Sequence, residues 1–422
     1  MFRDKTKRAQ KRLESLPCLA LQAEQVEFIY SPMAFKNEII QLIRQAKTRI
    51  FVTALYWQND EAGQEILDEI YRAKQDKPEL EVKILIDWHR AQRNLLGAEK
   101  SATNADWYCE QRQKYQLADD PNLFFGVPIN TREVFGVLHI KGFVFDDTVL
   151  YSGASINNVY LQQNEKYRYD RYQKITHPQL ADSMVAFIRD FLLNSDVVLP
   201  LDSVNRPKTK EIRQNIRHFR KNLALNGQYK LPSAVDFGNE LTVTPLFGLG
   251  GAGNVLNCTI EDLFQLVDEK LTICTPYFNF PRTLQQKIRH LLRKGKKIEI
   301  IVGDKVANDF YIPPEQPFKM AGALPYLYEN NLRRFSKKFE REMAQGQLII
   351  RTWKDGTNTY HLKGVWIDDN YILLTGNNLN PRAWRLDAEN GLFIHDPKQQ
   401  LLPQVVQELD CIRQHTTVLQ HY

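Results

Sequence analysis

His139-Ile-Lys141-Gly-Phe-Val-Phe-Asp146-Asp147, followed by Ser152-Gly153-Ala-Ser155-Ile-Asn157, returns later as His361-Leu-Lys363-Gly-Val-Trp-Ile-Asp368-Asp369 and Thr375-Gly376-Asn-Asn378-Leu-Asn380. The two histidines stand 222 residues apart, and the likeness extends upstream, where Arg49-Ile-Phe-Val-Thr-Ala-Leu-Tyr56 matches Lys270-Leu-Thr-Ile-Cys-Thr-Pro-Tyr277 at a spacing of 221. A register held over so long a stretch marks an internal repeat. Each copy continues into an amphipathic helical pattern, with Ile66, Leu67, Ile70 and Ala73 in one and Leu284, Ile288, Leu291 and Leu292 in the other. An apolar strand follows, over 82–86 or 298–302, and ends at Asp87 or Asp304. Strands and helices alternating in this way predict an α/β fold of two similar halves with mostly buried sheets. A basic stretch punctuated by Asn205-Arg-Pro207 and Asn226-Gly227 lies between them. The expected units are therefore a first half over 1–204, a basic helical linker over 205–240 and a second half over 241–422.

In each copy the His and Lys sit at i and i+2 of a β-branched and aromatic run, which predicts both side chains on one face of a strand. Ser155 with Asn157, and Asn378 with Asn380, supply hydroxyl and amide donors of the kind that hold phosphate oxygens. A single His-x-Lys is more often an ordinary surface strand. Two copies with the same downstream Asp and Gly-containing turn, built from two of only nine histidines, point instead to one composite site. Gly248-Leu-Gly250-Gly-Ala-Gly253 has a dinucleotide-binding spacing, but Pro245 interrupts the strand before it, and the next strand ends in Pro276-Tyr277 without a ribose-binding acid. We read it as a glycine turn entering a helix.

The bulk composition, with 43% hydrophobic and 25% charged residues in 422, is that of a globular chain with room for two or three cores. Cys18, Cys109, Cys258, Cys274 and Cys411 are scattered and show no metal-ligand spacing, so a reducing compartment without structural zinc is expected. Pro17 and its polar neighbours leave no apolar core for a signal peptide, and no run of about 18 apolar residues exists to span a bilayer, so any membrane contact should be peripheral. The net charge of +6 is unevenly spread. Residues 1–13 carry Arg3, Lys5, Lys7, Arg8, Lys11 and Arg12 against Asp4 alone, and residues 205–230 carry Arg206, Lys208, Lys210, Arg213, Arg217, Arg220, Lys221 and Lys230 against Glu211 alone. Such clusters suit an anionic membrane surface, or weak association with nucleic acid or the ribosome, and are equally consistent with solvated helix faces. Two stripes fit a helix lying at an anionic interface: Ile212, Ile216 and Phe219 within 210–222, and Leu332, Phe335, Phe339 and Met343 beside Arg333, Arg334, Lys337 and Lys338. The second follows exposed-looking apolar segments at 312–318 and 324–328. Packing onto the protein's own core is the competing reading for both.

The doubled His-x-Lys, four residues, Asp and Gly/Ser/Asn turn resembles the phospholipase D superfamily. That resemblance implies two α/β sandwich halves packed about a pseudo-twofold axis, with both motifs in one cleft at their interface. It further implies His139 as nucleophile and His361 as general acid/base, and Asp146 and Asp368 as framework residues. Lys141, Lys363, Asn157 and Asn380 would stabilise charge on the phosphoryl oxygens, with no metal or cofactor. Asp170 and Glu389 stand where carboxylates orienting the two imidazoles are expected.

Longer strings, Ile86-Asp-Trp-His-Arg-Ala-Gln-Arg93, Thr103-Asn-Ala-Asp-Trp107, Gly126-Val-Pro-Ile-Asn-Thr-Arg132, Tyr167-Arg-Tyr-Asp-Arg171, 303–311 and Asn377-Asn-Leu-Asn-Pro-Arg-Ala-Trp384, resemble the bacterial phosphatidylserine synthases of that superfamily over essentially the whole chain. The implied reaction takes CDP-diacylglycerol and L-serine to phosphatidylserine and CMP through a phosphatidyl-histidine, in the cytoplasm at the inner face of the bacterial membrane. Chains of this kind often continue into a basic tail, which a sequence ending at Tyr422 would lack. Trp88 and Trp107 for stacking on cytosine, and Arg90 and Arg93 for phosphate, are the candidate nucleotide-binding residues. Other activities of the superfamily, phospholipase, cardiolipin synthase or nuclease, and a non-catalytic adaptor keeping the fold, are the alternatives.

Overall fold

The computed structural model of the chain describes residues 2–94, 102–231, 235, 237–317 and 319–420. Phe318, expected on an exposed segment, lies outside these, as do the side chains of Arg3 and Asp4. Two mixed sheets carry the fold. In the first, the order is Leu199–Pro200, Phe124–Val127, Glu81–Asp87, Arg49–Ala54, Gly142–Phe145, Thr148–Ser152, Tyr172–Thr176 and Val26–Ile29. In the second it is Thr416–Val418, Leu348–Trp353, Lys297–Gly303, Lys270–Thr275, Gly364–Ile367, Tyr371–Thr375, Glu389–His395, Thr242–Gly248 and Leu19–Ala20. Apart from Leu19–Ala20, the two series match strand for strand. Parallel pairing at Arg49–Ala54 with Glu81–Asp87 is mirrored by Lys270–Thr275 with Lys297–Gly303, and each pair is linked by a helix, Glu61–Asp76 or Arg282–Arg293. The repeat read from the sequence is thus a repeat of topology.

Alternating side chains on these strands divide between two environments, because successive residues of a strand point to opposite faces. Ile84 and Ile86 pack beneath the helices of the first half, whereas Leu85 faces the other half; Ile300 and Ile301 divide in the same manner. A continuous core between the sheets results, and it buries the linker helix Arg213–Asn226 through Ile216, Phe219 and Leu223.

That burial corrects the interfacial reading of this helix: its apolar stripe fills the seam between the halves. Arg220, on the same helix, donates to Ile129 O of the first half and Leu386 O of the second. Leu332, Phe335 and Phe339 are likewise buried in the core of the second half, with Met343 packed against it, so this stripe too has no apolar face left for lipid. Several cluster cations are paired within the chain: Arg12 bonds Asp262, Arg206 pairs with Asp106, and Lys230 with Asp190 at the surface.

The chain ends cross over. Helix Phe2–Glu14 packs on Val255–Leu266 of the second half through Leu13, and Leu19–Ala20 pairs with Thr242–Gly248, although both were expected within the first half. In return, helix Leu402–Arg413 packs against strand Val26–Ile29, where the Gln404 amide takes up Phe28 N and Val26 O. Glu408 of this helix accepts Nε and Nη2 of Arg171 at 2.7 and 2.8 Å, both side chains being sealed from solvent. Arg171 also donates to Leu373 O and lies 4.1 Å from the Trp366 ring centroid. Removing one member of such a pair leaves a buried charge uncompensated, so Glu408→Ala should destabilise the protein by about 3–5 kcal/mol in urea unfolding, and the doubly apolar Arg171→Met/Glu408→Leu by markedly less.

Candidate active site

Neither His-x-Lys lies inside a strand, contrary to the expectation from its residue pattern. Residues 139–141 and 361–363 run extended but outside the ladder, just before Gly142–Phe145 and Gly364–Ile367. The physical reason is that each segment leaves its own sheet to pair with the opposite half. His139 N donates to Ala388 O at 2.9 Å, and His361 N donates to Tyr169 O at 2.8 Å. Lys141 N is further held by Asn390 Oδ1 at 2.8 Å.

The imidazoles are oriented by the same exchange. His139 Nδ1 lies 2.8 Å from Glu389 Oε2, and His361 Nδ1 lies 3.0 Å from Asp170 Oδ2, so each ring takes its carboxyl group from the other half. Such a partner fixes tautomer and ring angle, and it leaves Nε2 as the nitrogen to meet a phosphorus atom. Both lysines are buried against the facing turn. A Cβ on Gly153 would stand 2.7 Å from Lys363 Nζ and from Asp170 Oδ1 and Oδ2, and one on Gly376 would stand 2.8 Å from Lys141 Cγ. The repeated glycines therefore mark where a turn of one half closes over the lysine of the other.

Asn157 and Asn380 use Oδ1 to accept from Tyr160 N and Ala383 N, each at 2.9 Å, which stiffens the turn; Asn157 Nδ2 makes only a long contact, 3.5 Å, to the Tyr56 hydroxyl. Ser155 is buried in the same turn, while Asn378 ties Thr275 Oγ1 through its carbonyl and has a buried Oδ1 without a partner among the described residues. Asp146 and Asp368 lie apart from this group. Each has a left-handed backbone, with φ of 50°, and accepts a fan of amides, from Lys47, Thr48 and Arg49 or from Asp268, Glu269 and Lys270, at the start of a central strand.

The electrostatics of the two histidines differ. Burial, reinforced by Lys141, Lys363 and His361, holds His139 well below the ordinary imidazole value, so its ring is neutral. Burial and then Asp387 push the Glu389 carboxyl far above its usual range. Around His361 the balance is softer: burial and Lys363 lower it to about 4, opposed by the hydrogen bond to Asp170 and by the charges of Asp170 and Asp309. Asp170 stays ionised, because Lys363 and His361 outweigh the cost of its burial. His361 thus has carboxylates that favour its charged form, although the free ring is neutral at neutral pH. Burial and the proximity of Lys363 bring Lys141 down to about 7.

Trp88 and Trp107 are core residues and do not reach the cleft. Trp88 packs against Gly126 and Leu201 with Nε1 on Thr209 Oγ1, and Trp107 is buried with Nε1 on Gln64 Oε1. Their apolar area won over any exposed stacking role. Arg93 is tied to both carboxylate oxygens of Glu133. Arg90 shares Glu133 but extends over the Tyr56 ring, 5.7 Å from its centroid, at the edge of the first motif. Tyr56, Tyr160, Arg168, Tyr277 and Asp309, none assigned a role from sequence, line the His361 side. Tyr56 and Tyr277 are matched members of the repeat, a signal that was available. Asp309 had none.

The family profile described as "Cardiolipin synthase, PLD-like domain" matches residues 261–413. CDP-diacylglycerol–serine O-phosphatidyltransferase of Haemophilus influenzae is 75% identical over 422 residues, covering 100% of this chain and 93% of that protein. The Escherichia coli protein of the same name is 52% identical over 418 residues, covering 99% and 92%. The crystal structure of phosphatidylserine synthase from H. influenzae superposes with a TM-score of 0.97, over 99% of this chain and 92% of that one.

Two outcomes follow from the geometry. Gly376→Ala, by driving a methyl group into Lys141, should cut turnover at least tenfold while the far-ultraviolet circular dichroism is kept. Because Lys141 loses its proton as pH rises through about 7, kcat/KM for an anionic phosphodiester should fall above that pH, and Lys141→Arg should move that limb upward.

Proposed function

The chain belongs to the phospholipase D-type CDP-diacylglycerol–serine O-phosphatidyltransferases, and from that premise we propose how its own residues carry out the transfer. It converts CDP-diacylglycerol and L-serine to phosphatidylserine and CMP; the observation that carries this is full-length likeness to enzymes of that name together with an intact pair of His-x-Lys motifs whose orienting carboxylates are exchanged between the halves. In our reading, neutral His139 Nε2 attacks the phosphorus next to diacylglycerol, a phosphorus–nitrogen bond forms, and the bond to the CMP oxygen breaks. His361, protonated against Asp170 and Asp309 in the fraction of the enzyme that turns over, donates its proton to that leaving oxygen. Serine then enters on the vacated side, gives its hydroxyl proton to His361, and attacks phosphorus as the bond to His139 breaks. Lys141 and Lys363, with the amides of Asn157 and Asn380, stabilise the phosphoryl oxygens in both steps. Arg90 is our candidate for the nucleotide diphosphate.

We place the working enzyme at the inner face of the bacterial membrane. No helix among the described residues is long and apolar enough to cross a bilayer, and diacylglycerol chains keep this substrate in one, so contact is by a surface. Met320, Tyr326 and Leu327 form the patch we favour, with Met320 90% exposed. Neighbouring Tyr328 stacks on Tyr277, which borders His361, so this patch adjoins the cleft.

With labelled CDP-diacylglycerol in detergent micelles, CMP release should depend on serine; nucleic-acid cleavage without lipid turnover would instead favour the nuclease reading. His139→Ala should abolish the acid-quenched phosphatidyl-enzyme and lower kcat by about 10³-fold or more. His361→Ala should slow turnover yet retain some adduct, and adduct mapped to His361 would reverse the two roles. Met320→Asp/Leu327→Asp should weaken flotation with anionic vesicles while activity in micelles persists.

A further inference from the structure

Arg168 and Asp309 face each other beside His361 in a manner unlike the sealed pair Arg171–Glu408, which also joins the halves. Strand Arg168–Tyr169 lies parallel to Thr359–Tyr360, with Arg168 opposite Thr359, so the arginine is held in register just ahead of His361. Its Nε donates to Thr359 Oγ1 at 3.1 Å. Two tyrosines connect the pair to the histidine. Tyr160 lies under the guanidinium, 4.9 Å from it, and places its hydroxyl 2.8 Å from His361 Nδ1. Tyr277 donates to Asp309 Oδ1 and has its ring centroid 6.2 Å from that of His361. Both charges therefore stand within one side chain's reach of the catalytic ring.

The pair does not close. Arg168 Nη1 and Asp309 Oδ2 are 3.7 Å apart, beyond a hydrogen bond, and the side chains keep 15% and 19% of their exposure. Arg171 and Glu408, by contrast, bond at 2.7 and 2.8 Å with only 3% and 6% exposed. A structural pair seals; this one stays open to the cleft. Burial works against the Asp309 charge, yet Arg168 and His361 outweigh it and keep the carboxyl below its ordinary value. An anion at this point is of no use to a phosphate, which it repels. It suits a cation.

We propose that Arg168 and Asp309 form the acceptor subsite, Arg168 binding the α-carboxylate and Asp309 the α-ammonium of L-serine, with the serine hydroxyl at His361. The proposal rests on the transfer reading above and names the place of its second substrate. In-line displacement brings the acceptor oxygen to the side CMP has left, which is the His361 side. Serine's hydroxyl, ammonium and carboxylate lie within roughly 3–4 Å of one another by ordinary bond lengths, so both charge partners must adjoin the acid/base, as these do. The repeat supplies a contrast. Arg168 stands two residues before Asp170, and two residues before Glu389 stands Asp387, which is tied to Val137 N and Arg382 Nε. The scaffold is doubled and the acceptor chemistry is present once.

The test uses the full chain in micelles with three acceptors: L-serine, ethanolamine, which lacks the carboxylate, and 3-hydroxypropanoate, which lacks the ammonium. Arg168→Gln should raise the KM for serine at least tenfold and narrow the preference for serine over ethanolamine. Asp309→Asn should instead narrow the preference for serine over 3-hydroxypropanoate. In Arg168→Gln the KM for CDP-diacylglycerol and the first-turnover burst of CMP should move less than threefold, and in Asp309→Asn, where the lost charge also bears on His361, the KM for CDP-diacylglycerol should do so. Arg168→Lys, which keeps the charge, should recover part of the serine KM and guards against a folding defect. Equal losses for all acceptors, a parallel rise in the KM for CDP-diacylglycerol, or an unchanged serine KM would each overturn the assignment. Absence of serine-dependent CMP release by the unmodified protein would instead defeat the transfer reading itself.

Discussion

The hydrogen bond from His139 Nδ1 to Glu389, and its counterpart from His361 to Asp170, cross from one half of the molecule to the other. Neither half alone holds an oriented imidazole, because the carboxyl group that sets the ring angle sits in the other. The same is true of the backbone: the amide of each histidine is satisfied by a carbonyl of the facing half. A buried N–H left unpaired costs on the order of 1–3 kcal/mol, so the halves are bound to this one relative placement. Fixing the site and fixing the interface are the same event.

Much of the remaining structure serves that placement. The linker helix wedges its apolar face into the seam and uses Arg220 to bridge a carbonyl from each half. The terminal helices are exchanged, so separating the halves would expose apolar surface at both chain ends as well as along the seam. Asn390, next to Glu389, bonds both the amide and the carbonyl of Lys141, while Arg171, next to Asp170, reaches Leu373 and Glu408. The residues after each orienting carboxylate thus lock the segments that the carboxylates serve. Some cations that look like a nucleic-acid or membrane footprint in the sequence, Arg12, Arg206, Arg220 and Lys230, are tied to groups of the chain itself.

Within a doubled scaffold the chemistry is unequal. Asp170 is ionised against Lys363 and supports charge on His361, whereas Glu389 is pushed toward its protonated form beside a neutral His139. Double displacement needs this inequality, since one ring must bond to phosphorus while the other moves a proton. Arg168 and Asp309 add to it by giving one side a place for opposite charges.

The sequence by itself determined the repeat, the α/β class and the two His-x-Lys motifs, because these depend on local pattern and on spacing; Asp170 and Glu389 were picked out by the family resemblance. Tertiary structure decided which half each carboxylate serves, which arginines are spent on Glu133 or Glu408, and that Trp88, Trp107, Ile216, Phe219, Leu332 and Phe335 face inward. An amphipathic helix has the same sequence pattern whether a bilayer or another layer of the protein covers it. Only tertiary packing settles which, and only the packing of the halves brings Arg168 to Asp309 and His361, since the partners meet across a distance along the chain over which residue types carry no register.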